Sequence, residues 1–442
     1  MRIIFAVLFL LIGIEPLAAN EIRTTQKLLT DLGYQAGPID GQYGQKTENA
    51  LVQFYNSQGL GFDGKLGSNE ILDLKFELAR FNVTADEINF PGSFYTSELK
   101  PCTAMGYGSF NLQNNIASVS SLIGYDWHAD HQKNSNSQTV IHDKITVPIK
   151  KLLQSTHNAI TSDDQFSINV AADLLTRIAE ADSLYDSIGF HDVMKKPRCY
   201  ANGDPKSPCW YHEYEFARGV FSNYMVAALW LKNTLSDKQF MDVDRYIDKM
   251  YAKFLRPVER QVQEQGFYQM ANGGLSILIY ASWKSDKALA AEEIKFRFKE
   301  MDRIIYEDGY INNNSFRGVR SQWYHSYGLN IALGYAYIAE LWGTELPYRL
   351  KNKLFNASKV ANLAITDWED FKKREFIGLN RNKIKGKDST IRHTHQMAIA
   401  IDVLMPLITG VELENDPEYL KKRRYHMKDG IDDLIGFNPN CI

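Results

Sequence analysis

Stretches in which apolar residues return every third or fourth position, with almost no strand-like alternation, govern what this chain can become. Phe166, Val170, Leu174 and Ile178 form one such stripe. Comparable segments cover 142–161, 211–232, 237–264, 288–306, 323–342, 346–364, 391–407 and 417–435. Helices of that length joined by short turns predict an all-α array; spacing alone leaves a solenoid, a bundle and a closed α/α toroid open. With 442 residues, 44% of them hydrophobic, the chain can bury a large core and divide into two domains. A formal charge of −3 declares no general affinity for polyanions.

The first 19 residues, MRIIFAVLFLLIGIEPLAA, carry one Arg, an apolar run, Pro16 and a small-residue exit at Ala18-Ala19. That layout predicts a cleaved signal peptide and a periplasmic or secreted protein; the apolar core is short for a membrane span, and an uncleaved anchor is the alternative. Four Cys suit export, where thiols oxidise. Cys199 and Cys209 flank a polar Gly- and Pro-containing loop, which predicts a local bridge and leaves Cys102 to pair with Cys441. Four reduced, buried thiols are the alternative. No zinc-type spacing stands near any of them, and no metal or other cofactor is expected.

Residues 20–78 read as a small three-helix domain. An Asp40-Gly41-x-x-Gly44-x-x-Thr47 element recurs as Asp63-Gly64-x-x-Gly67-x-x-Glu70. Gly permits positive-φ turns, and Thr47 and Ser68 lie where helices must begin. This doubled element resembles the peptidoglycan-binding domain family, which implies binding to cell-wall glycan or peptide stems. Residues 79–97 read as a connector, with a Pro-Gly turn and no periodicity.

The most chemically suggestive stretch is 307–328, EDGYINNNSFRGVRSQWYHSYG. A Gly- and Asn-rich loop presents Arg317 and Arg320, then Tyr324 and His325, ahead of a strongly apolar run. Arg317 and Tyr324, seven apart, share a helix face if the helix begins that early. A cation beside a phenol makes the phenol a usable base; a salt-bridged core tyrosine is the bland alternative.

This stretch resembles the alginate lyase family of polysaccharide lyases, in which an Asp-Gly loop leads into Arg-x-x-Arg, a Tyr-His pair and an apolar helix. The resemblance implies an incomplete (α/α) toroid over 98–442 and β-elimination of an acidic, uronate-containing polysaccharide. By position it assigns carboxylate neutralisation to Arg317 and proton transfer to Tyr324. The family's upstream Asn-His pair falls on GFYQMANGGLS, making Asn272 the amide, but Gly273 stands where the histidine belongs. His212 and His395 are the candidates to replace it, and Arg320, His325 and Arg392 complete the substrate-binding set. The chemistry is coherent: neutralising a uronate carboxylate stabilises the enolate-like charge that forms when C5 loses its proton.

Residues 372–392, KKREFIGLNRNKIKGKDSTIR, form a basic tract able to hold an acidic polymer or to sit solvated. No nucleic-acid module is recognisable. Two other readings stay open. A glycoside hydrolase would draw its carboxylates from Glu213, Glu215, Asp302 or Asp308, although Glu213 and Glu215 point to different helix faces. A noncatalytic wall-associated glycan binder would need none of these.

Overall fold

A computed structural model describes residues 19–57, 61–81, 83–102, 110–125, 142–185, 222–255, 267–312, 314–374, 384–385, 398–413 and 441–442. The chain forms two compact units, Met1–Asn82 and Val83–Ile442. Among the described residues there are helices and isolated β-bridges but no strand, as the periodicity predicts. No helix among them is long and apolar enough to cross a membrane.

The small unit contains α1 (Ala19–Asp31), α2 (Gln45–Ser57) and α3 (Ser68–Arg80). Leu28 and Leu29 of α1 are buried with Leu51 and Phe54 of α2 and Leu74 of α3. The repeated Asp-Gly element folds the same way twice. Asp40 Oδ1 accepts from the Gln42 amide at 2.9 Å, and Asp63 Oδ1 accepts from the Lys65 amide at 2.8 Å. Gly41 and Gly64 take φ of 80° and 82°, a left-handed backbone that side chains resist.

Gln26, buried on α1, fastens the first of these turns. Its Nε2 donates to Asp40 Oδ1 at 2.9 Å and to the Gln42 carbonyl at 3.0 Å, while its Oε1 accepts from the Gly41 amide at 2.9 Å. The Gln26 and Gln42 donors hold the Asp40 carboxyl below the usual carboxylate range. A buried amide engaged by the Asp40 carboxylate and two backbone groups makes this turn a rigid feature rather than a loose loop.

The large unit opens with α4 (Leu112–Ser120), which packs on α5 (Val147–Ser162). There follow α6 (Gln165–Glu180), α7 (Ser222–Leu231), α8 (Asp237–Met250), α9 (Phe267–Lys284), α10 (Lys287–Ile304), α11 (Ser321–Leu341), α12 (Tyr348–Thr366), the short α13 (Trp368–Phe371) and α14 (Ala398–Thr409). Asn111, Asp164, Ser236 and Asp286 cap α4, α6, α8 and α10 by accepting from backbone amides in the first turn.

Alternate helices make one row, each packed on the next: α5, α7, α9, α11 and α14. The intervening helices lie behind them, with α6 packed on α8 and α10 on α12. This two-layer alternation is the layout of an incomplete (α/α) toroid. Sequence character follows position. α7, caught between neighbours, is buried nearly all round, whereas α8 buries one stripe, Val243, Tyr246, Ile247 and Met250. In the α6 stripe, Leu174 and Ile178 are buried but Phe166, in the first turn, is 65% exposed.

Where the predicted spans are described, the helices match them closely: α10, α11 and α12 run within two residues of 288–306, 323–342 and 346–364. α7 is described only from Ser222, and beyond α8 the chain widens into a π-turn, Tyr251–Leu255. The segment at 417–435 lies outside the described residues.

The connector expected at 79–97 is a correction: from Val83 onward it belongs to the large unit's core. Ile88, Phe94 and Tyr95 are fully buried. The Asn89 amide donates to the Trp342 carbonyl at 2.8 Å, Trp342 Nε1 to the Phe94 carbonyl at 3.2 Å, and the Tyr337 hydroxyl to the Tyr95 carbonyl at 3.0 Å. Tyr95 meets Trp230 of α7 edge-on at 6.0 Å. The aperiodic spacing of this strap hides its role, because its apolar side chains fill gaps at helix ends rather than one helical face.

The strap ends at Cys102, which is disulfide-bonded to Cys441 across 339 residues of chain, with the Cα atoms 5.5 Å apart. Cys199 and Cys209 lie outside the described residues. Closing so long a loop restricts the unfolded chain strongly. Cys102→Ser is therefore expected to lower the large unit's unfolding free energy by about 2–5 kcal/mol, read from denaturant titrations with and without reductant. An unchanged midpoint would show that the bond contributes no stability.

Candidate functional site

The segment between α10 and α11 is held from below by charge. Asp302, at the end of α10, pairs with Arg349 (3.2 Å) and Lys353 (2.9 Å) of α12, and Glu307 pairs with the same two cations at 2.7 and 3.3 Å. Arg349, Lys353 and Asp302 are nearly inaccessible to solvent. Two cations and two carboxylates cancel, so removing one would leave a buried charge uncompensated, at a cost of about 3–5 kcal/mol. Gly309 then lets the chain pass against α12: its φ is 88°, and a Cβ there would lie 2.3 Å from the Asn356 carbonyl carbon.

Above this base the loop folds onto α11. Asn314, buried, donates from Nδ2 to the Tyr324 carbonyl at 2.8 Å. Gly328, one turn on, leaves it room: a Cβ there would sit 2.5 Å from Asn314 Nδ2. The Ser321 hydroxyl accepts from the Arg317 amide at 3.0 Å and donates to the Gly318 carbonyl at 2.8 Å.

The Arg317 guanidinium consequently lies over the Tyr324 ring, 4.4 Å from its centroid. Both side chains are half-buried. The pairing arises differently from the shared helix face that the spacing predicts. α11 begins at Ser321, so Arg317 stands on the loop and reaches the ring because the loop turns back. Arg320 is the exposed N-cap residue. Trp323 meets Tyr324 edge-on at 4.6 Å and lies tilted against the buried Tyr327 at 5.3 Å, a run of packed rings along the first turns.

His325, expected to contact substrate, is a correction. Its ring is fully buried on the side of α11 that faces α12. Nε2 lies 2.9 Å from the Ala357 carbonyl, which can only accept, so Nε2 carries the proton; Nδ1, 2.8 Å away from Ser315 Oγ, accepts from that hydroxyl. Burial pushes the imidazole pKa down to about 4. With both ring nitrogens engaged inside the core, His325 fastens the loop and α12 to α11.

Of the hydrolase candidates, Asp302 is committed to Arg349 and Lys353, and Asp308 to Arg374. Neither is placed as a catalytic acid. Glu213 and Glu215 lie outside the described residues, as do His212, Arg392 and His395. Asn272 is carried on α9, which packs against α11, but its side chain is outside the described set.

Sequence reasoning missed that the basic tract reaches this site. Gly318, with φ of 67°, forms a parallel bridge with Ile384, and the Lys385 amide donates to the Gly318 carbonyl at 3.1 Å. Ile384 packs onto the cluster of Tyr310, Phe316, Val360, Ala364 and Phe371. The only available signal was a lone apolar residue in RNKIKGK.

Comparison with known proteins bears on the small unit. Residues 18–71 match the putative peptidoglycan binding domain family. The doubled Asp-Gly turns and the Gln26 clasp lie within or across that span. N-acetylmuramoyl-L-alanine amidase CwlM of Mycobacterium tuberculosis is 37% identical over 65 residues, which is 15% of this chain and 16% of the amidase. The likeness therefore spans about a sixth of that relative's length. The family match ends at residue 71 and bears on the small unit alone.

Proposed function

We propose that this is a cell-wall-associated, glycan-binding protein that docks on peptidoglycan through its small unit and offers its large helical unit to an acidic polysaccharide. The observation that carries the first half is the family match over 18–71, together with a first Asp-Gly turn clasped by Gln26 into one geometry. A wall ligand agrees with the cleaved signal peptide expected of residues 1–19. The amidase's name describes that protein; a shared stretch of 65 residues supports wall binding here and carries over no amidase chemistry. The test is co-sedimentation with purified peptidoglycan sacculi. The full chain is expected to pellet and a chain lacking residues 20–82 to stay in solution; equal pelleting of both removes the small unit from the account.

A second reading, catalytic elimination, is favoured by one specific observation: the half-buried Arg317–Tyr324 pair at 4.4 Å, beside the exposed Arg320. In this reading the guanidinium neutralises a uronate carboxylate and raises the acidity of C5. The Tyr324 oxygen takes the C5 proton, the C–H electron pair becomes the C4=C5 double bond, and the C4–O4 bond breaks. The departing O4 leaves with the C4–O4 electron pair and takes back from Tyr324 the proton collected from C5, and the new end is an unsaturated uronyl that absorbs ultraviolet light.

A further inference from the structure

The two Asp-Gly turns of the small unit differ in their surroundings. The first is closed: Gln26 clasps it, and a Cβ on Gly41 would lie 2.8 Å from the Ala19 carbonyl oxygen. The second is open. Asp63, Gly64 and Lys65 are exposed, and a Cβ on Gly64 would meet nothing within 4 Å. Next to this open turn Phe62 stacks on Tyr55, with ring centroids 5.5 Å apart and 11° between the planes. Tyr43, from the first turn, is 37% exposed.

Four carboxylates surround these rings. Burial and the charges of Glu48, Asp63 and Glu70 push the Tyr43 hydroxyl up to about 12. Tyr55 donates to Asp73 at 2.8 Å, and burial, Asp73, Glu70 and Asp63 raise it too. Asp63 and Glu70 therefore act on both phenols. Each acid answers a neutral donor: Asp73 the Tyr55 hydroxyl, Glu70 the Gly67 amide at 2.6 Å, Asp63 the Lys65 amide at 2.8 Å and Glu48 the Gln45 side-chain amide at 3.4 Å. None of the four pairs with a cation among the described residues, and the adjoining residues 58–60 are Gln, Gly and Leu, which carry no charge.

We propose that this surface binds a primary amine carried on the peptide stem of the wall, with its alkyl body on Tyr43 and Phe62 and its ammonium among Glu48, Asp63 and Glu70. Carboxylates beside exposed aromatic faces complement an alkylammonium and repel an anion. The hydroxyls of a glycan strand make no use of such charge, so the part of the wall that is held is the free amine of a stem diamino acid. This inference rests on the wall-binding half of the proposed function.

The test is co-sedimentation of the full chain with purified sacculi, either intact or N-acetylated with acetic anhydride, which removes the ammonium and leaves the glycan strands. Acetylation is expected to weaken wild-type binding roughly 3- to 10-fold. Asp63→Asn combined with Glu70→Gln keeps both turn bonds, because an amide oxygen still accepts. That double variant is expected to bind intact sacculi as weakly as wild type binds acetylated ones, with no further loss on acetylation. Asp31→Asn, which neutralises an exposed acid on α1, is expected to stay within about twofold. Equal wild-type binding to both kinds of sacculi overturns the amine site and leaves wall binding standing. A double variant that loses the same factor on both overturns it as well, its effect then being structural, and an equal loss in Asp31→Asn does so by making the effect one of net charge. Wild type that binds neither overturns the wall reading, and this site with it.

Discussion

On the elimination reading, Tyr324→Phe is expected to cut the release of ultraviolet-absorbing unsaturated products by about 10²–10⁴-fold, the usual contribution of a positioned proton-transfer group. Affinity for the polymer is expected to stay within a few-fold. The substitution removes one oxygen and keeps the ring, so the guanidinium of Arg317 retains the surface it covers at 4.4 Å. The helix is untouched as well, because the contact that ties this residue to the loop is made by its carbonyl to Asn314. A loss confined to turnover would place the hydroxyl in the chemistry. Unchanged turnover would take Tyr324 out of it, and a wild-type chain that yields no unsaturated product from any polyuronate would leave the binding role alone.

The second large effect is on stability and comes from His325. Its pKa is pushed down to about 4 by burial, against about 6.5 for an unfolded histidine. Between those values the unfolded chain takes up a proton that the folded chain refuses. Stability is therefore fully present above about pH 6.5 and is lost as pH falls toward 4, by about 3 kcal/mol from this residue. Other groups titrate in the same range, so the measurement is a difference: denaturant unfolding of wild type and of His325→Gln across pH 4 to 7. The variant is expected to be less stable at pH 7, having lost the bonds to Ser315 and Ala357, and to show a shallower decline on acidification. Parallel pH profiles would mean that the ring is not held neutral by the core.

Much of this protein was legible in its sequence because the relevant rules are local. The apolar period specifies helices, and an Asp-Gly repeat names its own turn geometry through residues two apart. The Cys102–Cys441 bond could be inferred from an even count and one tidy local loop. Arg317 and Tyr324 could be picked out as a pair, although the helix starts too late for the reason first supposed.

Tertiary structure decided everything that depends on what lies opposite a side chain. His325 sits next to Tyr324 in sequence and reads as equally available, yet a helix turns consecutive residues about 100° apart, which sends one toward α12 and leaves the other half-exposed. The strap at 83–102 carries no period because its aromatic residues fit holes made by distant helix ends. The basic tract reaches Gly318 only because Ile384 finds an apolar cluster and Gly318 a backbone partner. Sequence specifies which faces must be buried; the partner each face finds depends on residues tens to hundreds of positions away, and only the packed chain brings them together.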